Sequence, residues 1–357
     1  MFLEEQWDIK SMTLPELEAE FRSLGQPAFR AKQVFGWLHR GVRSFDEMTN
    51  LSKDFRQQCK ERYQIYTAQI ERKLISALDG TVKYLFRLHD GEYVESVLMQ
   101  YHHGYSICIS TQVGCRMGCA FCATGLGGFF RNLAPSEMLA QIQAAQQDRQ
   151  IRISNVVLMG MGEPLDNFDC VVRFLELVTA EDGMNIGMRH ISLSTCGLVA
   201  RIYQLMEKNF QLTLSVSLHA PNDALRSQTM PVNRKWPVES LLKACRDYAD
   251  HTGRRISFEY AMIDGLNDSD ECARELAQRL RGILCHVNLI PVNQVTENGY
   301  RRSGRDRLKR FSGILTQHHI NVTVRRTLGA DIDASCGQLR RKITQGEAAS
   351  VETLHED

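Results

Sequence analysis

Three cysteines, Cys115, Cys119 and Cys122, stand in the stretch TQVGCRMGCAFCATG (111–125), three residues apart and then two. Thiolates are soft ligands, so a cluster of them in one short loop points to metal chemistry. A closed structural zinc site needs four ligands and usually builds them from two C-x-x-C or H-x-x-x-H pairs. The chain offers no second pair. A 4Fe-4S cluster normally takes four thiolates, so three in one loop leave one iron free for a ligand or substrate. Zinc completed by a distant fourth ligand stays open as the alternative.

Such a loop has to be held by regular structure. From Gly104 onward, short β-branched runs alternate with stretches of helix length: YSICIS, NVVLMG, HISLST, LTLSVSLH, ISFEYAMI and HVNLIP. Six strands separated by helices predict an α/β fold with a parallel sheet, either an open barrel or a doubly wound sheet. In both, ligands bind at the carboxyl ends of the strands, and the cysteine loop directly follows the first run. Before that core, Leu14 to about Tyr63 has helical periodicity with Gly and Pro at the joints. Residues 73–100 carry strand signals and an Asp79-Gly80 hairpin turn. The expected division is a helical accessory domain over 1–72, a linker or β extension over 73–103, a core over 104–345 and a tail over 346–357.

Composition sets the context. The 357 residues carry 43 Lys+Arg against 42 Asp+Glu, a net charge of +1, so any surface made for a polyanion must be local. The amino terminus lacks an apolar signal core and no run reaches the length of a membrane span, which predicts a cytoplasmic protein. Eleven cysteines in that setting do not form a disulfide framework. Cys59, Cys170, Cys245, Cys272 and Cys285 read as small buried hydrophobes.

The second run ends in GMGEPL. Gly160 and Gly162 let the backbone approach a ligand, and Glu163 offers a carboxylate to an ammonium group. Ser194, Ser217, Leu218, His219 and Asn293 stand at later strand ends, where side chains can converge on one ligand. The C-x-x-x-C-x-x-C pattern, with Phe121 just before the last cysteine, resembles the radical S-adenosylmethionine (SAM) superfamily. The resemblance implies a 4Fe-4S cluster on Cys115, Cys119 and Cys122. It also implies SAM contacts from Phe121, Gly162, Glu163, Ser194, Ser217, Leu218, His219 and Asn293.

The ordered series PAFRAKQVFGWLH, QVGCRMGCAFCATG, RNL, GMGEPL, LSTCG, SLHAPND, RSQTMPVN and ADIDASCGQL resembles the RlmN and Cfr adenine methyltransferases of 23S ribosomal RNA over almost the whole length. That implies a partial barrel of six βα units with an amino-terminal RNA-binding domain. Carbon 2 of adenine lies in an electron-poor amidine and cannot attack a sulfonium methyl. The family instead moves a methyl to a cysteine and activates it with a radical from a second SAM. Matched residue by residue, Cys336 falls on the methyl carrier, Cys108 on the thiol that resolves the adduct through a transient disulfide, and Glu95 on the proton acceptor. From the residues alone, Glu95 reads as an exposed strand acid and Cys108 as core.

The resemblance further implies 23S RNA as partner, naked or in an early assembly intermediate, transfer RNA as a second substrate, a flavodoxin- or ferredoxin-type electron donor, and a monomer. The GMGEPL, SLHAPND and RSQTMPVN segments look more like the carbon-2 branch than the carbon-8, Cfr-type branch. Local RNA signals agree: Arg301 to Lys342 holds 11 Lys+Arg against 3 Asp+Glu. Arg30, Lys32, His39 and Arg40 are interleaved with Phe29, Phe35 and Trp37. A zinc-dependent RNA-binding protein would explain the basic segment and the loop, but not Glu163, Cys108 and Cys336 together. A radical enzyme acting on a small molecule or a protein would not need Cys336 as a methyl carrier.

Overall fold

The structure, a computed structural model, describes residues 7–292, 299–326 and 328–332. Its amino-terminal module comprises β1 (Trp7–Asp8), α1 (Leu14–Ser23), α2 (Ala28–His39), α3 (Lys53–Arg62) and β2 (Tyr63–Gln64), with β1 and β2 paired in parallel. A capping box between Thr13 and Glu16 starts α1, and the Ser52 hydroxyl accepts from the Phe55 amide to start α3. Phe21, Phe35, Leu38 and Phe55 fill the module's core, Phe21 meeting Phe55 edge-on at 5.1 Å.

Three antiparallel strands follow: β3 (Gln69–Ile75), β4 (Val82–Arg87) and β5 (Tyr93–Tyr101). The turn between β3 and β4 contains Asp79-Gly80, with Gly80 at φ +71°. The segment expected as linker or β extension is thus sheet, and β5 pairs antiparallel with β6 (Gly104–Cys108). A small ribbon of β7 (Gln112–Gly114) and β8 (Phe129–Asn132) brackets the cysteine loop and the single turn α4 (Ala123–Leu126).

The chain then alternates regularly through α5 (Pro135–Arg149), β9 (Ile153–Leu158), α6 (Phe168–Thr179), β10 (Ile191–Thr195), α7 (Val199–Glu207) and β11 (Thr213–Ser217). Two helices, α8 (Asp223–Thr229) and α9 (Val238–Thr252), precede β12 (Ile256–Met262). After it come α10 (Asp270–Leu280), β13 (Cys285–Pro291), α11 (Arg305–Gln317) and β14 (Asn321–Val324). All six expected strands are present. The short β14, with only two apolar residues in four, is a seventh parallel strand that forms no apolar run.

Strand order decides between the two architectures. The ten-stranded sheet runs β14-β13-β12-β11-β10-β9-β6-β5-β4-β3, so every parallel strand lies beside its sequence neighbour and the order never reverses. Right-handed crossovers in one direction put all the helices on one face, so the sheet curls about the other. The result is an open barrel, since a doubly wound sheet needs a reversal. Along β13 the residues alternate between buried and half-buried. Val287 and Leu289 face the helices, whereas Asn288 faces the concave side.

The helix α5 joins the two regions and is buried all round from Pro135 to Ala145. Gln143 donates to the Leu38 and His39 carbonyls of the module and accepts from the buried Lys10 ammonium. Gln141 reaches the other way. Its side-chain oxygen accepts from Ser96 Oγ at 2.8 Å and the Ser110 amide at 2.9 Å, and its nitrogen donates to the Ser110 carbonyl at 3.0 Å. No described helix is long and apolar enough to cross a membrane. Replacing Gln141 with Leu should leave these buried groups unpaired and cost about 1–3 kcal/mol, read as a lower denaturant midpoint at unchanged slope. An unchanged midpoint would mean that this hub does not hold α5 to the sheet.

Candidate active site

The cysteine loop is tied down from three sides. The amides of Thr111 and Gln112 both donate to the Met161 carbonyl, Cys115 donates to Gly128, and Ala120 donates to the Thr229 carbonyl of α8. Beside the loop, Gly162 has φ +102°, and a Cβ there would meet the Gln112 side chain at 2.6 Å. Only glycine fits this bend. It lets Gln112 accept from the Glu163 amide at 2.9 Å while its nitrogen donates to Asn132 and Asp166.

Glu163 is buried, its two oxygens accepting from the Cys196 amide at 2.7 Å and the Leu165 amide at 3.0 Å. Burial raises its carboxyl above the ordinary range, against the pull of these hydrogen bonds. At the end of β11, His219 takes φ +57° and packs edge-on against Phe121 of the cysteine loop, with ring centroids 4.8 Å apart. Burial, with Arg226 nearby, pushes the imidazole down to about 3. Its Nδ1 accepts from the Ala261 amide at 2.9 Å, so a neutral ring carries its proton on Nε2. Leu218 is core: its amide donates to the Glu259 carbonyl and its own carbonyl accepts from Arg226.

Register carries one face across the whole sheet. Lys83 is paired with Val97, Val97 with Cys108, Cys108 with Val157 and Val157 with Ser192. Residues two apart share a face, so Glu95, Cys108, Ser194 and Ser217 all lie on the concave side. The expectation of an exposed Glu95 is corrected: the side chain has 0% exposure and pairs with the equally buried Lys83 at 3.2 Å. A strand acid alternates into whichever face its register selects, and pairing with β4 and β6 on both sides covers this one. Cys108 is core as read, packed with Val97 and Met99, and Leu328 lies against the same cluster. Three residues on, Asp331 accepts from Ser76 Oγ at 2.6 Å and the Ala77 amide at 2.9 Å, latching this segment to the β3–β4 turn. Asn293 and Cys336 lie outside the described residues.

Comparison with known proteins adds independent findings. Residues 109–277 match the family model of the radical SAM superfamily, and residues 7–65 match that of the ribosomal RNA large subunit methyltransferase N-terminal domain. A protein of Alkaliphilus oremlandii described as a probable dual-specificity RNA methyltransferase RlmN is 54% identical over 341 residues, which is 96% of this chain and 99% of that one. One of Lachnoclostridium phytofermentans with the same description is 50% identical over 95% of this chain and 96% of its own. The chain belongs to the RlmN family of radical SAM RNA methyltransferases. The crystal structure of a radical SAM methyltransferase from Sphaerobacter thermophilus matches with a TM-score of 0.89 at 45% identity, covering 93% of this chain and 98% of that one.

Membership brings a 4Fe-4S cluster and SAM as cofactors, and the loop suits the cluster. Burial raises the Cys115 thiol to about 12 and raises that of Cys119 as well, and the neighbouring Cys122 adds to both shifts. A 4Fe-4S cluster gives each thiolate its own iron, so three thiolates from one loop leave the fourth iron free for a ligand. A cavity of about 570 Å³ lined by Ile283, Cys285, His318 and Ile320 lies at the amino ends of β13 and β14, away from this chemistry.

Several residues that organise the site gave no signal in the sequence: Gln112, Lys83, Arg226, and Asn267, which donates to the His219 and Ala261 carbonyls at 2.7 Å. Each is a polar residue without a spacing partner. The candidate RNA surfaces also sort themselves. Phe35 and His39 are buried, and burial pushes the His39 imidazole down to about 4. Lys32 pairs with Asp182. Phe29 is 55% exposed beneath Arg30, and Arg40 stacks on Trp37 at 4.1 Å. In the basic segment, Arg307 and Arg310 pair with Asp270. A Gly162→Ala substitution should cost at least about 1–2 kcal/mol from backbone conformation alone, with the Gln112 clash in addition. Calorimetry showing a wild-type Tm would contradict the close packing of Gly162 on Gln112.

Proposed function

We propose that this enzyme methylates carbon 2 of adenosine 2503 in 23S ribosomal RNA, and adenosine 37 of transfer RNA, through a methyl carried on Cys336. The observation that carries the reading is the placement of Glu95 and Cys108 on one buried, concave face, against which Leu328 of the segment leading to Cys336 is packed. The cluster and SAM supply the 5'-deoxyadenosyl radical that activates the methyl group. The protein's own residues do the rest. Lys83 holds the Glu95 carboxylate in a dry setting, where it acts as general base on the ring hydrogen of the unstacked adenine. The Cys108 thiolate then attacks the Cys336 sulfur: the S–CH2 bond to the adenine breaks with its electron pair on the methylene carbon, which takes up a proton to become the methyl group, and the Cys108–Cys336 disulfide left behind is reduced by the electron donor before the next turnover. Gly162 and Glu163 receive the ammonium group of SAM, and Ser194, Ser217, Leu218, His219, Phe121 and Asn293 surround the rest of it. Exposed Phe29 and the Arg40–Trp37 stack suit contact with RNA bases and phosphates.

Nucleoside mass spectrometry on 23S RNA and transfer RNA treated with the anaerobically reconstituted enzyme is expected to give 2-methyladenosine. A product at carbon 8 would overturn the regiochemistry. Cys336→Ala should abolish product with the cluster intact, and Cys108→Ala should accumulate a covalent protein-RNA adduct visible on a denaturing gel.

Burial raises Glu163, and only its ionised form attracts an ammonium group. SAM affinity should therefore be full at neutral pH and fall on acidification, beginning above the range near about 4.3 where a free glutamate titrates. Glu163→Gln should bind SAM at least tenfold more weakly and without that acid limb. Equal pH profiles of the two proteins in equilibrium binding would remove Glu163 from the SAM site.

A further inference from the structure

Arg226 in α8 has no exposed surface, although guanidinium stays charged in proteins. Its Nε donates to the Leu218 carbonyl at 3.0 Å, one terminal nitrogen to Asn233 Oδ1 at 3.0 Å, and the other to the carbonyls of Cys196 at 2.6 Å and Ser217 at 3.0 Å. All four acceptors are neutral oxygens. Asp223 acts on it only through space, its Oδ1 being taken up by Asn233 Nδ2 at 2.9 Å and the Val238 amide at 2.8 Å. A buried cation with hydrogen bonds but no ion pair among the described residues is costly unless something nearby carries negative charge.

The cysteine loop is that neighbour. Thr229, on the same helix, accepts from the Ala120 amide at 2.8 Å, and a Cβ on Gly118 would lie 3.7 Å from Pro231, just past the helix. Cys119 and Arg226 lie within each other's field. With three thiolates on a doubly positive 4Fe-4S core, the cluster bears one net negative charge, and reduction adds a second. A fixed cation favours the more negative state and so raises the reduction potential.

The same guanidinium joins the ends of β10 and β11. It holds the Cys196 carbonyl, while the Cys196 amide holds Glu163; it holds Ser217 and Leu218, which lead into His219. We propose that Arg226 is the buried counter-charge of the cluster and the positioning residue that aligns the β10 and β11 ends around SAM. This rests on the cofactors alone and is independent of which RNA carbon is methylated.

The test uses full-length reconstituted protein without RNA. EPR-monitored redox titration gives the cluster potential, and equilibrium binding gives the SAM Kd. Arg226→Gln should disfavour reduction at least tenfold, a potential about 59 mV lower for a one-electron couple, and should raise the SAM Kd at least tenfold. Arg226→Lys keeps the charge but not the fork, so its potential should match wild type while its SAM Kd rises. A cluster-loaded Arg226→Gln protein with wild-type potential overturns the proposal. Where that variant does not load its cluster, Arg226→Lys decides: wild-type potential with weakened SAM binding supports the proposal, and a wild-type SAM Kd or a lowered potential overturns it.

Discussion

Pairing each parallel strand with its sequence neighbour, always on the same side, is the constraint from which the rest of this molecule follows. Because the order from β9 to β14 never reverses, every crossover helix lies on one face and the sheet must close toward the other. Away from the apolar cluster of Val97, Met99 and Cys108, the closed-over face is mostly polar. Its side chains include Ser192, Ser194, Ser215, Ser217, Ser257, Glu259 and Asn288, several of them bonded to one another. Ser257 donates to Glu259 at 2.9 Å, and Asn288 donates to it at 2.8 Å. Parallel strands also bring all their carboxyl ends to one rim, so the cysteine loop, the Gly162–Glu163 bend and His219 meet there although far apart in sequence.

The rim is held by polar residues placed inside the protein rather than by apolar contact alone. Gln112 sets the Glu163 backbone, Asn267 sets His219, and Arg226 joins two strand ends. Each satisfies backbone groups that loops would otherwise bury unpaired. The same device docks the amino-terminal module, where Gln143 and Lys10 bridge α5 to the carboxyl end of α2 and the chain near Tyr66. A buried polar joint fixes orientation where a greasy one would let the two surfaces slide.

Elements with local signals were legible in advance. The six long strands, the amino-terminal helices and the Asp79-Gly80 turn announce themselves through periodicity, Gly and Pro at the joints, and turn chemistry, all of which depend on neighbours a few residues away. The seventh strand did not, because NVTV is too short to show a period. Glu95 was misread from its residues for a different reason. Alternation along YVESVLMQY says that Glu95 and Val97 share a face, but nothing within the strand says that this face is the enclosed one.

What the sequence by itself determined is the metal chemistry and the family. Three thiols at fixed spacing in a loop form a local constellation, and the ordered motifs around them are specific whatever the fold. Only the tertiary structure decided which groups share the interior. Lys83 reaches Glu95 across a hairpin, Asp331 reaches Ser76 from 255 residues away, and Arg226 gathers carbonyls from two strand ends. Such contacts are set by register and sheet curvature. Those arise from many weak pairings acting together, and no single segment records them.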